Sequence, residues 1–253
     1  MLRNRFTLRK GDPGAAPGVE HDEIALLPSG ADRVRVTCID YSPDNVLIQV
    51  IDDLESFLGH HRPEWSIVRW INVDGLSDMG VIHALAAKYN LHPLAIEDLL
   101  HLPQRPKVEA YGGNDSELQA RLFIIVRMLR IEDQQLQSEQ VSMFLGHKTV
   151  LTFQESPGDV WDPLRQRINT KGSRLRNNDA SFLTYSLLDA IVDHCFPILE
   201  YYGDHLEELE DLVLDNPERR TISQIHQVKR DLLLLRRAAW PMREVVSTLQ
   251  REP

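Results

Sequence analysis

The sequence predicts an α+β fold, a three-layer α/β/α domain around a mixed, mostly antiparallel sheet, followed by a long antiparallel helical hairpin and stalk. Three observations lead there. Short aliphatic runs with period-two alternation recur between residues 34 and 154. Helical patterns lie between them, as in a layered domain. Beyond Trp161 the apolar residues fall in strict alternating steps of four and three, a coiled-coil seam. The domain organisation read from this is a flexible arm over 1–20, an α/β/α domain over 21–160, and a helical hairpin with the start of a long stalk helix over 161–253.

The arm carries Gly11-Asp12-Pro13-Gly14-Ala15-Ala16-Pro17-Gly18, which offers few apolar side chains to bury. Strands are expected over Val34 to Asp40, Val46 to Ile51 and Ser66 to Val73, the last ending at Asp74-Gly75. Helices are expected from Asp53 to Leu58, Asp78 to Tyr89 and Pro93 to Leu100. A second β block follows over Leu122–Leu129, Glu139–Leu145 and Thr149–Gln154, the last two joined by the Gly146-His147-Lys148 turn.

Leu188, Val192, Cys195, Leu199, Tyr202, Leu206, Leu209 and Val213 form the first helical seam. Asn216 as N-cap and Pro217 at the first helical position open a second helix. Its seam is Ile225, Val228, Leu232, Leu235, Ala239, Met242, Val246 and Leu249. At 1.5 Å per residue each helix is ~45 Å or longer. Pro197 and Pro241 each remove a backbone hydrogen bond and are expected to bend the axis. The helical period continues to Pro253 with no C-cap glycine, so the last helix is expected to run on.

With 253 residues, 42% of them hydrophobic and 26% charged, a sizeable core is available. Thirty-eight acidic against 28 basic residues give a net charge of -10, which disfavours a nucleic-acid backbone as partner and suits cations or basic partners. Cys38 and Cys195 are too few for a disulfide framework and too isolated for a zinc knuckle. No aliphatic run approaches the ~20 residues that span a bilayer, and the N-terminus lacks an apolar signal block. A soluble, cytosolic segment is expected.

The run from His92 to Glu109 is the most informative stretch, since it sets adjacent carboxylates Glu97 and Asp98 in a short helix closed by a proline-punctuated turn. Taken alone, the pair reads as an exposed helix face, because acidic residues favour helix starts. Further landmarks alter that reading. They are Trp70-Ile71-Asn72-Val73-Asp74-Gly75, Gln104-Arg105-Pro106-Lys107, Ser138-Glu139-Gln140-Val141-Ser142, Phe153-Gln154-Glu155 with Asp159-Val160, Tyr185-Ser186-Leu187-Leu188-Asp189-Ala190, and His226 to Arg230 leading into Trp240-Pro241-Met242-Arg243-Glu244.

By the order and spacing of these motifs, the chain resembles CorA-type magnesium/cobalt channels over essentially its whole length. The resemblance implies the cytoplasmic domain of a homopentamer, at the inner face of the cell membrane, whose stalk helix continues into the membrane. The family's pore signature, Gly-Met-Asn, does not occur in these residues. The resemblance also implies regulatory divalent-cation sites between neighbouring protomers. Asp98 takes one side of such a site, and Glu252 stands where a family member has aspartate, its carboxylate about one methylene further out. Glu97 matches a ligand of a second site, whose partner position here is Ser181, a neutral hydroxyl and a poorer ligand for a hard dication.

Magnesium keeps several waters and needs only one or two carboxylates, so Asp98 with Glu252 would suffice for a low-affinity regulatory site. Without the cation, two carboxylates ~4 Å apart repel by about 1 kcal/mol in water and about 4 kcal/mol at an effective dielectric of 20. The resemblance implies magnesium as both regulator and cargo, with cobalt or nickel as further cargo.

Plainer readings stand beside these. The acidic run from His205 to Asp211 suits a solvated face around the leucine seam. Arg105 and Lys107 are expected to pair with nearby acids in a rigid turn. The histidines lack the helical spacing of zinc hydrolases, and no phosphate-binding loop, dinucleotide fingerprint or nucleophile elbow is present, so the chain is not read as an enzyme. Two alternatives remain, the cytoplasmic domain of a related zinc transporter and a soluble oligomeric scaffold whose hairpin is a docking arm.

Overall fold

A computed structural model describes residues 34–112, 121–215 and 219–251. The expected arm, the Asn216-Pro217 cap and Glu252 lie outside the described residues. In chain order the elements are β1 (Arg35–Tyr41), β2 (Val46–Ile51), α1 (Leu54–Gly59), β3 (Val68–Asp74), α2 (Met79–Tyr89), α3 (Pro93–Leu100), β4 (Lys107–Tyr111), β5 (Arg121–Glu132), β6 (Gln135–Leu145), β7 (Thr149–Gln154), α4 (Asp162–Asn169), a 3-10 turn (Arg174–Asn177), α5 (Ala180–Asp193), α6 (Cys195–Asp215) and α7 (Arg219–Leu249). The sheet order is β2-β1-β3-β7-β6-β5-β4, with β3 and β7 the parallel pair and the remaining neighbours antiparallel.

Strand alternation divides the sheet's side chains between two cores. Cys38, Ile71, Val73, Phe123, Phe144 and Phe153 meet Ile82 and Leu85 of α2 and Ala95 and Leu99 of α3. Ile39, Trp70, Ile124, Met143 and Val150 meet Trp161, Leu164 and Ile168 around α4, Leu183, Leu187 and Ile191 of α5, and Met242 and Val245 of α7. This is the three-layer architecture the sequence predicts. Its second core draws residues from both sides of position 160, so α4, α5 and the end of α7 complete the sheet domain as well as leading to the stalk.

A third cluster forms where Leu129 and Leu136 on the β5–β6 hairpin meet Ile198, Tyr202 and Leu209 of α6 and Val228 and Ala238 of α7. The first helix of the expected coiled coil is two helices, parted at His194. Pro197 lacks the amide hydrogen that would reach the carbonyl of Asp193, and the ladder is interrupted there. Pro241, by contrast, sits inside an unbroken α7. The stretch Ala180–Leu214 is long and apolar enough to cross a membrane by length and composition, beyond what its short aliphatic runs suggested. Leu183, Leu187, Leu188 and Ile191 of α5 are spent on the sheet core, while Tyr185 and Val192 stay exposed.

The seams are half as expected. In the first, Leu188, Tyr202 and Leu209 are buried and Cys195 is half-buried, whereas Val192, Leu199, Leu206 and Val213 are exposed. In α7 the buried stripe is Val228, Asp231, Ala238, Met242 and Val245; Ile225, Ala239 and Val246 of the expected seam face outward. Both stripes repeat every seven residues, so period alone did not choose between them.

Polar side chains tie the parallel pair together beneath these helices. Thr152 accepts from Trp70 Nε1 (2.9 Å) and donates to Asn72 Oδ1 (2.5 Å). Gln154 Nε2 reaches Asn72, Asp74 and Asp159 at 3.0, 3.0 and 3.1 Å. Arg165 closes a fork on Asp159, and burial, which pushes that carboxyl up, is outweighed by these bonds so that it lies below the usual range. On β1 and β3, Arg69 makes a bidentate pair with the buried Asp40 at 2.9 and 2.8 Å.

Glu139 on β6 is 5% exposed, and Arg130 Nη2 stands 3.6 Å away, beyond a full hydrogen bond. Burial pushes its carboxyl up to about 7 and Glu155 adds to the push, against Arg130, Ser156 and Arg127. The folded chain thus keeps a proton that the unfolded chain loses near 4.5. Glu139's contribution is full below that value and is lost as pH rises through 7. Glu139→Gln should therefore gain stability relative to the parent between pH 5 and pH 8, by about 1–3 kcal/mol. Chemical denaturation of both proteins at the two pH values checks this, and parallel pH curves would refute it.

Candidate functional site

Helix α3 is set by its ends and one apolar face. His92 caps it, Nδ1 accepting from the Leu94 amide at 3.2 Å, and Pro93 supplies a first-turn residue that needs no donor. Ala95, Ile96 and Leu99 are buried, which leaves Glu97 and Asp98 half-exposed at the far end. The helix stops at Leu100, and the following turn delivers the chain to the edge strand β4.

That turn is clamped from the sheet. Gln140 on β6 is 1% exposed; its Oε1 accepts from the Gln104 amide at 2.8 Å and its Nε2 donates to the Asp98 carbonyl at 3.2 Å. Glu155 in turn accepts from the Gln140 amide and faces Arg127 at 3.4 Å. One buried amide side chain thereby fixes where Asp98 leaves the helix.

Alternate residues of β4 form a row facing α3. Lys107 Nζ lies 2.7 Å from Asp98 Oδ2 and 2.8 Å from Glu109 Oε2. Tyr111 donates to Glu109 at 2.7 Å and stacks on His92 with ring centroids 4.4 Å apart. Burial works against the Lys107 charge, but its hydrogen bonds to Asp98 and Glu109 prevail and raise it above an ordinary lysine. Glu109 is shifted the other way: burial raises it, and the Lys107 and Tyr111 bonds outweigh burial and lower it. Arg105 joins this region to α7 through Glu244 at 3.0 Å, an exposed pair.

The expected pairing of Arg105 and Lys107 with nearby acids is therefore what the structure contains. Asp98 is held half-exposed at a helix end, beside a lysine that sequence reading had assigned to the turn without naming its partner. Glu252 lies outside the described residues. Ser181 is exposed in the first turn of α5, which packs on the opposite side of the sheet from α3, so the structure does not bring Glu97 and Ser181 together within one protomer. Among the described residues no group of three or more histidine, cysteine, aspartate or glutamate side chains is placed to hold a metal. Gln140 and Glu109 lie inside the Ser138–Ser142 and His92–Glu109 motifs but were given no role by the sequence, and Tyr111 lies outside both.

Residues 65–253 match the family described as CorA-like Mg2+ transporter protein. The chain belongs to that family. This CorA-like chain is 36% identical over 256 residues to the cobalt/magnesium transport protein CorA of Thermotoga maritima, an alignment that covers all of this chain and 68% of that protein. Its fold superposes on the complete CorA magnesium transporter of Methanocaldococcus jannaschii with a TM-score of 0.66 at 20% identity, covering 88% of this chain and 64% of that one. It also superposes on the ZntB cytoplasmic domain of Vibrio parahaemolyticus with a TM-score of 0.59 at 14% identity, covering 86% and 81% of the two chains. The chain thus spans about two thirds of the length of the two CorA relatives.

Gln140→Leu removes the clamp and leaves the Gln104 amide and the Asp98 carbonyl without this partner, a loss of about 1–3 kcal/mol. Hydrogen exchange at the Gln104 amide should accelerate well beyond the change in global stability. Exchange at the parental rate would show that the turn is held by something else.

Proposed function

We propose that this chain is the cytoplasmic, magnesium-sensing part of a homopentameric CorA-type channel at the inner membrane, passing magnesium and, as further cargo, cobalt or nickel. The relationship to the Thermotoga cobalt/magnesium transport protein over the full length of this chain carries the reading. The family is one of transporters, which supports reading the chain as a regulatory module and not as an enzyme.

Asp98 is the residue assigned to the regulatory cation. Its position supports this, since it is a half-exposed carboxylate near the end of a clamped helix, within reach of a hydrated dication that exchanges with its Lys107 partner. Glu252 of that neighbour is assigned as its counterpart. Glu97 and Ser181, on opposite sides of the sheet, belong to a second site only across a protomer boundary. Self-association is supported by the apolar stripe left outside on α7, where Ile225 and Val246 are 43% and 42% exposed, and on α6, where Leu199 and Leu206 are 46% and 45% exposed. Bound magnesium would bridge protomers and hold the closed assembly by its greater affinity for that state.

A second reading, the zinc-transporter alternative raised by the sequence, keeps the same fold and makes zinc the cargo. The two readings share the fold and separate on the ion, and competition between magnesium and zinc fluxes distinguishes them.

Magnesium at millimolar concentration is expected to protect this chain from chymotrypsin and to raise its sedimentation coefficient. Asp98→Ala should abolish both effects while melting within a few degrees of the parent in chelator. Equal protease and sedimentation behaviour with and without magnesium would sink the sensor reading.

A further inference from the structure

We propose that Lys107 is a tethered competitor of the regulatory cation, an ammonium carried by the protein that occupies Asp98 until magnesium displaces it. This inference rests on the assignment of Asp98 above and adds the residue that sets the concentration at which the site responds.

The geometry carries it. Lys107 Nζ contacts Asp98 Oδ2 at 2.7 Å, and the two side chains are 28% and 24% exposed, so the contact is only partly screened by water. A dication is drawn to a carboxylate by its charge, and here an ammonium shared with Glu109 already offsets part of that charge. Magnesium can gain Asp98 only by exchanging with the ammonium, so its apparent affinity falls by the strength of the pair it breaks.

The same geometry provides for the exchange. Lys107 has a second acceptor, Glu109 Oε2 at 2.8 Å, and Tyr111 holds that carboxylate from the other side at 2.7 Å. Lysine carries three rotatable donors on a flexible stem, so it can leave Asp98 and keep Glu109. Glu109 is thus a parking acceptor that prevents Lys107 from being left as an unpaired, half-buried charge. Strand pleating puts Lys107, Glu109 and Tyr111 in one row, and the Tyr111–His92 stack anchors that row along α3. Arg105, the nearest other cation on this turn, is engaged with Glu244 and does not substitute.

Titration of the 253-residue chain with magnesium chloride, read by chymotrypsin resistance, tests the proposal. Lys107→Met should lower the midpoint by roughly five-fold, the scale set by loss of one partly exposed ion pair. Lys107→Arg keeps the charge and should stay near the parent. In an Asp98→Asn background Lys107→Met should shift nothing, which separates competition at Asp98 from a general change in surface charge. Glu109→Gln should raise the midpoint in the parent but not in Lys107→Met, because Glu109 acts through the lysine. A response that needs Asp98 but has the same midpoint in Lys107→Met overturns this inference alone. No response in either protein overturns it together with the Asp98 reading. A response seen only in Lys107→Met supports it.

Discussion

The arrangement depends on one edge strand that serves two helices at once. β4 is paired to the sheet on a single side, through β5, and would be a weak element by its ladder alone. Its pleat is what secures it. Lys107 and Tyr111 reach α3 at Asp98 and at its cap His92, with Glu109 bridging them along the strand, while Val108 packs with the core that contains Met242 and Val245 of α7. Adjacent residues of a five-residue strand therefore feel the acidic helix and the long helix. A displacement of β4 that follows a change at Asp98 must disturb contacts with both. The Arg105–Glu244 pair adds little energy, being exposed, but it fixes the turn in the same sense.

The sheet that carries this edge is held in register by polar groups as well as by its two apolar cores. A parallel pair inside an antiparallel sheet leaves β3 and β7 without a hairpin to set their alignment. The Trp70–Thr152–Asn72–Gln154 chain performs that task, because a slip of one residue would bury these groups without partners. Arg165 extends it to α4, and Gln140 does the equivalent work at the α3 turn. Removing one partner from such a network is costly, whereas its intact net contribution is modest. Its main effect is to make the alternatives worse.

These networks explain which parts of the fold were legible in sequence. Strands with a strong aliphatic or alternating pattern were placed to within a residue or two, and α3 and β7 were placed to the residue. β4 was missed because Lys-Val-Glu-Ala-Tyr follows Pro106 with only one strongly apolar side chain, which is what a half-exposed edge strand needs. The β5–β6 hairpin was read too short. Its tip turns through Asp133 and Gln134, both at positive φ, without the glycine that marks such a turn. In α7 the inward stripe includes Asp231, so a search for apolar residues kept its Val228 and Met242 but replaced the rest with neighbours such as Ile225 and Val246 that face outward.

The site was legible in a different way. Its acidic residues were singled out as candidates because a family pattern surrounds them, and by chemistry alone Glu97-Asp98 would have remained an ordinary helix end. What sequence could not supply was the charge balance at Asp98. Lys107 is nine positions away, and only the fold of the intervening turn, fixed by Gln140 from a third element, decides whether that lysine points at Asp98 or into water. With it in place, part of the negative charge at Asp98 is offset within the protomer itself, so the repulsion expected of bare carboxylates there is reduced. If Asp98 holds the regulatory cation as proposed, the cation gains it by exchange with an ammonium the chain already carries, and the free energy of the Lys107 pair then enters the equilibrium.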